Sequence, residues 1–192
     1  NQLATLLSYF DGYSHPLGPL VIHNGFIFGS LWNGLVFRVA IDGTGFTPLY
    51  AMSGTNELPH SLTLGDDGKL YGVTTYGGVL CDAYPGCGTI FRLNPVQPGD
   101  PNVQFETIYS FNNAVPTYKT NHPQRQLIYG SDGWLYGQTY SYVFRIDPNA
   151  AVPASTFEFV WQSGVGVSVS TIEGADGRLY VADYTATAGA GS

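Results

Sequence analysis

A short motif recurs four times along this chain of 192 residues, and the repeat constrains the fold more than any other feature. Each copy joins an Asn-Gly or Asp-Gly pair to a short aromatic run, at 24–29, 67–72, 132–137 and 176–181. The glycines of these pairs are Gly25, Gly68, Gly133 and Gly177. Such pairs favour tight β-hairpins because they tolerate positive φ. The chain is therefore expected to fold from several copies of one hairpin-based unit.

Further strand-like elements accompany the turn motif in each copy. The first has alternating apolar residues and a Phe-Arg pair, and its phenylalanines Phe37, Phe91 and Phe144 are 54 and 53 residues apart. Another aromatic element lies at 6–10, 48–52, 107–111 and 159–163. Each copy thus holds four strands, in the second copy at 61–64, 69–74, 89–93 and 105–111. Four short strands in about 45–50 residues are typical of a β-propeller blade.

The predicted fold is therefore an all-β propeller region over residues 1–192, built from four-stranded antiparallel blades. The predicted blades are 15–53, 58–112, 121–163 and a partial blade 167–192, with residues 3–10 as the outer strand of a preceding or closing blade. Since propellers have about four to eight blades, we expect this chain to be a fragment of a larger ring. The remaining blades of the same protein, or another chain, would complete it.

Composition excludes several functional classes. The net charge of −7 argues against nucleic acid as a partner, because phosphate binding requires a basic surface. No stretch reaches the roughly 18 apolar residues of a membrane span, so no transmembrane segment is predicted. Only 11% of residues are charged, whereas soluble domains average about 25%, and a partner covering part of the surface would explain the difference.

The two cysteines, Cys81 and Cys87, lie six residues apart in an insert of the second copy. The spacing is not C-x-x-C and no histidine accompanies it, which argues against a zinc site and thioredoxin-type chemistry. The pair is either a disulfide that clamps a long loop or a reactive thiol pair. A disulfide would place the protein in an oxidising compartment, so we expect an extracytoplasmic location: periplasm, cell surface or medium.

The motifs of the second copy resemble the GloVer (Gloeobacter/Verrucomicrobia) tandem repeats. The similar segments are 65–78, with its D-G-x-L-Y-G core, 86–92, with G-T-I-F-R, and 108–111, with I-Y-S-F. The resemblance implies a bacterial extracytoplasmic repeat protein, and it supplies no catalytic motif that could be placed on this sequence.

Several recurring polar residues are interpreted as structural. Asp67, Asp132 and Asp176 occupy the turn pairs, where aspartate satisfies a simple turn requirement. An arginine follows the phenylalanine of each third strand, and a repeated arginine is more often the partner of a carboxylate or carbonyl than a ligand site. These arginines are Arg38, Arg92 and Arg145. The four histidines His15, His23, His60 and His122 fall at different offsets from the turns, so neither a metal nor a cofactor is predicted.

Aromatic residues in the loops are the candidate binding residues. Those that follow the second strand of each copy are Trp32, Tyr76, Tyr140 and Tyr184, and those in long inserts are Tyr84 and Tyr118. These rings either stack on sugars or a protein segment, or wedge between blades. The predicted function is a non-enzymatic binding or scaffold propeller within a larger assembly, with a protein partner. The alternative is a carbohydrate-binding or carbohydrate-active propeller, a lyase or hydrolase, that uses these aromatic loops.

Overall fold

A computed structural model describes residues 15–52, 58–81, 85–95, 105–112, 122–163 and 168–183. These residues form fourteen β-strands and one short 3-10 helix, Pro153–Thr156, and all strand pairs are antiparallel. The all-β prediction is confirmed. The predicted outer strand at 3–10 lies outside the described residues, as does the end of the partial blade from residue 184 onward.

The strands form three four-stranded sheets and one two-stranded sheet, each with its strands in chain order. Blade 1 contains β1 (Pro16–His23), β2 (Phe26–Leu31), β3 (Leu35–Ala40) and β4 (Thr47–Ala51). Blade 2 contains β5 (Pro59–Leu64), β6 (Leu70–Thr74), β7 (Thr89–Leu93) and β8 (Phe105–Ser110). Blade 3 contains β9 (Ile128–Tyr129), β10 (Leu135–Gln138), β11 (Tyr142–Ile146) and β12 (Glu158–Gln162), and blade 4 contains β13 (Ser168–Glu173) and β14 (Leu179–Asp183).

The turn motif closes the first hairpin of a blade through one aspartate. In blade 2, one carboxylate oxygen of Asp67 accepts the backbone N–H of Lys69 at 3.0 Å, and the other accepts the hydroxyl of Tyr71 at 2.9 Å. Blades 3 and 4 repeat the aspartate–tyrosine bond, at 2.6 Å for Asp132 and Tyr136 and at 3.0 Å for Asp176 and Tyr180. The glycine of the pair has positive φ, for example 75° at Gly68. The motif is therefore a structural unit that fixes the hairpin and its second strand.

In blades 1 to 3, the glycine at the centre of the second strand makes room for a ring on the third. A Cβ placed on Gly72 would lie 2.5 Å from Cζ of Phe91, the residue opposite it in the strand pair. Gly29 stands in the same relation to Phe37, with 2.7 Å between a built Cβ and Cζ. The ring covers the glycine, which explains why Tyr-Gly and Phe-Arg recur together in the sequence.

Aromatic and aliphatic side chains fill the space between adjacent blades. One buried cluster joins blade 1 to blade 2, and a second joins blade 2 to blade 3. Stacked ring pairs bridge both junctions, Tyr50 on Phe105 with centroids 4.0 Å apart and Tyr109 on Phe157 at 3.8 Å. Blades 1 to 3 thus bury apolar surface against one another, as expected for a repeat protein of this kind.

Candidate functional site

The first strands of the four blades, β1, β5, β9 and β13, are the inner strands and lie next to one another in that order. A hydrogen bond from the Thr63 hydroxyl on β5 to the carbonyl of Leu127, just before β9, joins blades 2 and 3 at 2.5 Å. Between them lies a cavity of about 570 Å³. It is lined by Leu17, Gly18, Pro19, His60, Ser61, Gln124, Arg125, Gln126, Ile128, Gln138, Thr171 and Ile172.

The cavity lies toward the ends where the inner strands begin. Pro59, beside His60, pairs with Thr74 at the end of β6, and the Gln124 N–H donates to the Gln138 carbonyl at 3.3 Å. The loops that join the second and third strands of each blade leave from this same edge. The aromatic loops at this edge were the predicted binding site. The residues that line the cavity come instead from the inner strands and from the segments next to them.

The cavity carries one permanent cation, Arg125, and the described residues that line it include no carboxylate. His60 lies close enough to respond to this charge. Burial, and secondly the charge of Arg125, lower the pKa of His60 below its usual 6.5, so the imidazole is neutral at pH 7. The electrostatics of the cavity therefore depend on a single guanidinium surrounded by amides, hydroxyls and aliphatic side chains.

A hydrogen-bonded chain fixes the His60 ring. The Thr75 hydroxyl donates to the Pro123 carbonyl at 3.3 Å, and the His60 Nε2 contacts the Thr75 oxygen. Because the Thr75 proton is directed to Pro123, this arrangement places the ring proton of neutral His60 on Nε2, as donor to Thr75. The ring is thereby tied to residues 122–126, which also carry Arg125; we call these residues the Arg125 segment.

The Arg125 segment has an unusual backbone. Arg125 has φ of 105° and His122 has φ of 57°, in the region that favours glycine. Such conformations cost about 1–3 kcal/mol each and persist where surrounding contacts enforce them. Here the side-chain amide of Gln126 donates to the Leu62 carbonyl at 3.3 Å, and the backbone N–H of His122 donates to the Cys87 carbonyl at 2.8 Å.

Cys87 belongs to a disulfide with Cys81, with Cα atoms 5.3 Å apart, so the disulfide prediction is confirmed. Cys87 is fully buried, and its N–H donates to the Val79 carbonyl at 2.9 Å. The disulfide closes the loop whose Cys87 carbonyl holds His122. The loop insert in blade 2 therefore supports the Arg125 segment in blade 3.

No family model matches the chain, and a search of curated proteins also gives no match. Among solved structures, the chain is similar to a luciferin-regenerating enzyme, with a TM-score of 0.60 and 15% identity over 88% of this chain and 54% of that one. It is also similar to a candidate gluconolactonase, with a TM-score of 0.56 and 15% identity over 82% and 53%. An auxiliary nutrient binding protein from Bacteroides thetaiotaomicron gives 0.52 and 15% over 77% and 36%.

The fold is a β-propeller. Identities of this size show the fold alone, and the chain spans about half the length of the first two solved structures. In the propeller, the inner strands are the first strands of each blade, so the cavity lies where the blades converge. Among the described residues, no group of three or more His, Cys, Asp or Glu side chains is arranged to hold a metal ion.

The predicted aromatic residues lie outside the set that lines this cavity. Trp32 is 51% exposed and Tyr140 is 42% exposed, whereas Tyr76 packs the edge of its ring against His122 at 5.5 Å. Tyr84, Tyr118 and Tyr184 lie outside the described residues. A binding role for these aromatic residues stays a prediction.

The recurring arginines hold neighbouring strands and blades together. Arg92 pairs with Glu106 on the next strand at 2.7 Å and donates to the Pro148 carbonyl of blade 3 at 2.9 Å. Arg145 pairs with Glu158 in the same way, at 2.5 Å. The residue opposite Arg38 is a threonine, and there the guanidinium is buried over the Phe26 ring, 4.5 Å from its centroid.

Sequence reasoning missed Arg125 and set His60 aside, although a signal was present. Each lies eight residues before the glycine of its turn pair, Gly133 and Gly68 respectively. The two residues therefore occupy the same position in consecutive copies of the repeat, although Arg125 lies three residues before β9. Comparing the copies at this position, rather than searching for a repeated histidine, would have brought them together.

Proposed function

We propose that this chain is a non-enzymatic binding propeller whose small-molecule ligand occupies the cavity between the inner strands. The cavity itself carries the proposal, since about 570 Å³ falls within the roughly 300–1,000 Å³ of small-molecule sites. Its lining combines aliphatic side chains with a few hydrogen-bonding groups, which is the usual composition of such sites. The solved nutrient binding protein of similar fold supports a binding role.

The proposed location is extracytoplasmic. The disulfide between Cys81 and Cys87 supports this location, because disulfides persist mainly in oxidising compartments. In the part of the chain that the structure describes, no helix has the length and hydropathy of a membrane span. We further propose membership of the GloVer repeat proteins and a place in a larger assembly, on the strength of the repeat motifs.

Filling the cavity tests the binding site. The purified chain is screened by thermal shift against neutral sugars, sugar acids and small hydroxy acids, and hits are measured by calorimetry. Gln124→Trp places an indole at the cavity, whereas Gln162→Trp makes the same change at an exposed position on β12. We expect Gln124→Trp to abolish binding and Gln162→Trp to retain it. Equal binding by both variants would refute this location, and no hit in the screen would refute the function.

A second candidate is glycan binding through the exposed aromatic loops. Trp32 and Tyr140 follow the second strands of blades 1 and 3, and about half of Trp32 and two fifths of Tyr140 are exposed. Exposed rings in this position can stack on sugar faces. The test is a glycan array with Trp32→Ala and Tyr140→Ala, and unchanged glycan binding by both variants would eliminate this candidate.

A further inference from the structure

Most basic residues in the described part of the chain have an evident structural partner. Lys69, Arg92, Arg145 and Arg178 each pair with a carboxylate. Arg38 is buried over the Phe26 ring. Arg125 differs, because within the described residues it forms no ion pair, and its strained backbone sets it at the cavity.

A second observation concerns Ser61, which also lines the cavity. Ser61 is only 2% exposed, and its hydroxyl has no hydrogen-bond partner among the described residues. Buried hydroxyls nearly always have a partner, because leaving one unpaired costs free energy. Ser61 follows His60 in β5, and His60 and Arg125 occupy equivalent positions in consecutive copies of the repeat. Ser61 and Arg125 both line the cavity, and among the described residues the Ser61 hydroxyl has no hydrogen-bond partner and Arg125 forms no ion pair.

We infer that the ligand of this cavity is a small hydroxylated carboxylate, which is a statement about the ligand class and rests on the binding function proposed above. The Arg125 guanidinium matches a carboxylate with two parallel hydrogen bonds. The Ser61 hydroxyl and the Gln124 amide supply bonds for ligand hydroxyl groups, while Ile128 and Ile172 contact the carbon chain. In a chain of net charge −7, this isolated cation selects an anion at a local site.

The inference is tested by comparing the binding of three small probes: gluconate, glucose and inorganic phosphate. Calorimetry on the intact chain is expected to give gluconate an affinity at least about tenfold above the other two, since a charge-assisted pair distinguishes it. Because Arg125 is exposed to solvent, the gluconate affinity should also fall as salt is raised.

Variants distinguish loss of the Arg125 charge from general destabilisation of the fold. Arg125→Gln should remove the advantage of gluconate over glucose, and Arg178→Gln, at an exposed arginine outside the cavity, should preserve it. Ser61→Ala provides a second variant that should weaken gluconate binding several-fold, with folding of every variant checked by circular dichroism.

Three results would overturn the inference. Equal affinity for glucose and gluconate would show a neutral sugar site and leave the binding function intact. Tighter binding of phosphate would show a general oxyanion site. Retention of the gluconate preference by a folded Arg125→Gln variant would refute the role of the guanidinium. Loss of all binding hits in the wider screen would instead refute the proposed function itself.

Discussion

The glycine at the centre of β6 offers a direct test of how the repeat specifies the blade. In Gly72→Ala, the new methyl group would lie 2.5 Å from Cζ of Phe91 and 2.8 Å from the backbone oxygen of Ser61. Neither can retreat easily, because Phe91 is fully buried and stacks on Phe105 at 5.1 Å, and the oxygen belongs to the neighbouring strand. The substitution therefore overpacks the blade.

The expected magnitude follows from two opposing contributions. Overpacking a well-packed core costs about 1–3 kcal/mol. Replacing glycine by alanine also restricts the unfolded chain, which returns about 0.4–1 kcal/mol. The free energy of unfolding should therefore fall by up to about 2.6 kcal/mol, measured by urea denaturation. For a chain of this size, the melting temperature should fall by roughly 2–4 °C per kcal/mol.

A double-mutant cycle identifies the ring as the cause. Phe91→Leu removes Cζ and leaves space for the methyl group at position 72. The double variant should therefore be more stable than the sum of the two single effects predicts, by an interaction energy of about 0.5 kcal/mol or more. Simple additivity in the cycle, or a Gly72→Ala variant more stable than the parent, would refute the packing argument.

Three further predictions concern the turn, the disulfide and the histidine. Tyr136→Phe removes the bond to Asp132 and should lower the free energy of unfolding by about 1 kcal/mol in urea denaturation. Reduction of the disulfide should speed amide hydrogen exchange at His122, whose N–H is held by the loop that the disulfide closes. The folded pKa of His60 lies below 6.5, so stability should be complete above pH 6.5 and fall as the pH drops toward the folded pKa. NMR titration and melting curves between pH 5 and 8 measure both.

Each of these predictions has a result that contradicts it. Unchanged stability of Tyr136→Phe would mean that the aspartate acts on the turn alone. Unchanged exchange at His122 after reduction would show that the Arg125 segment is held independently of the disulfide. For the histidine, a midpoint at or above 6.5 would contradict the effect of burial, and His60→Gln is the control because it should remove this part of the pH dependence.

The repeating part of the structure could be predicted because the same local chemistry recurs in several copies. Asp-Gly pairs specify the turns directly, and the alternating pattern around Phe91 marks its strand, which was placed at its observed limits, Thr89–Leu93. The strand ends are less regular: β5 begins at Pro59, two residues earlier than predicted, as a proline can when it occupies the first position of a strand. The aspartate–tyrosine bond was not foreseen, since it depends on the folded turn.

The cavity could not be read from the sequence in the same way. Whether His60 and Arg125 approach the same space depends on the register of two inner strands and on the neighbouring order of the blades. Arg125 also lies on an irregular backbone, which no strand pattern anticipates. The aromatic loop residues were predicted to bind a ligand because of their residue type, whereas a residue lines the cavity because of its position within the blade.

Positions that are the same in every complete blade and positions that differ between blades therefore have different roles in this chain. Some positions have the same residue in every complete blade, such as the glycine of the second strand and the phenylalanine opposite it. Packing determines the residue at these positions. Blade 1 has Leu17 at the position shared by His60 and Arg125, eight residues before its turn glycine, and the next residue is Gly18, where a side chain would collide with the β-carbon of Ser61. The small residue in one blade permits close approach to the next, while the polar residues in the following two blades face the space between the inner strands. Since the fold does not require one residue type at this position, the sequence is free to vary there, and this variation is what gives the cavity its single positive charge.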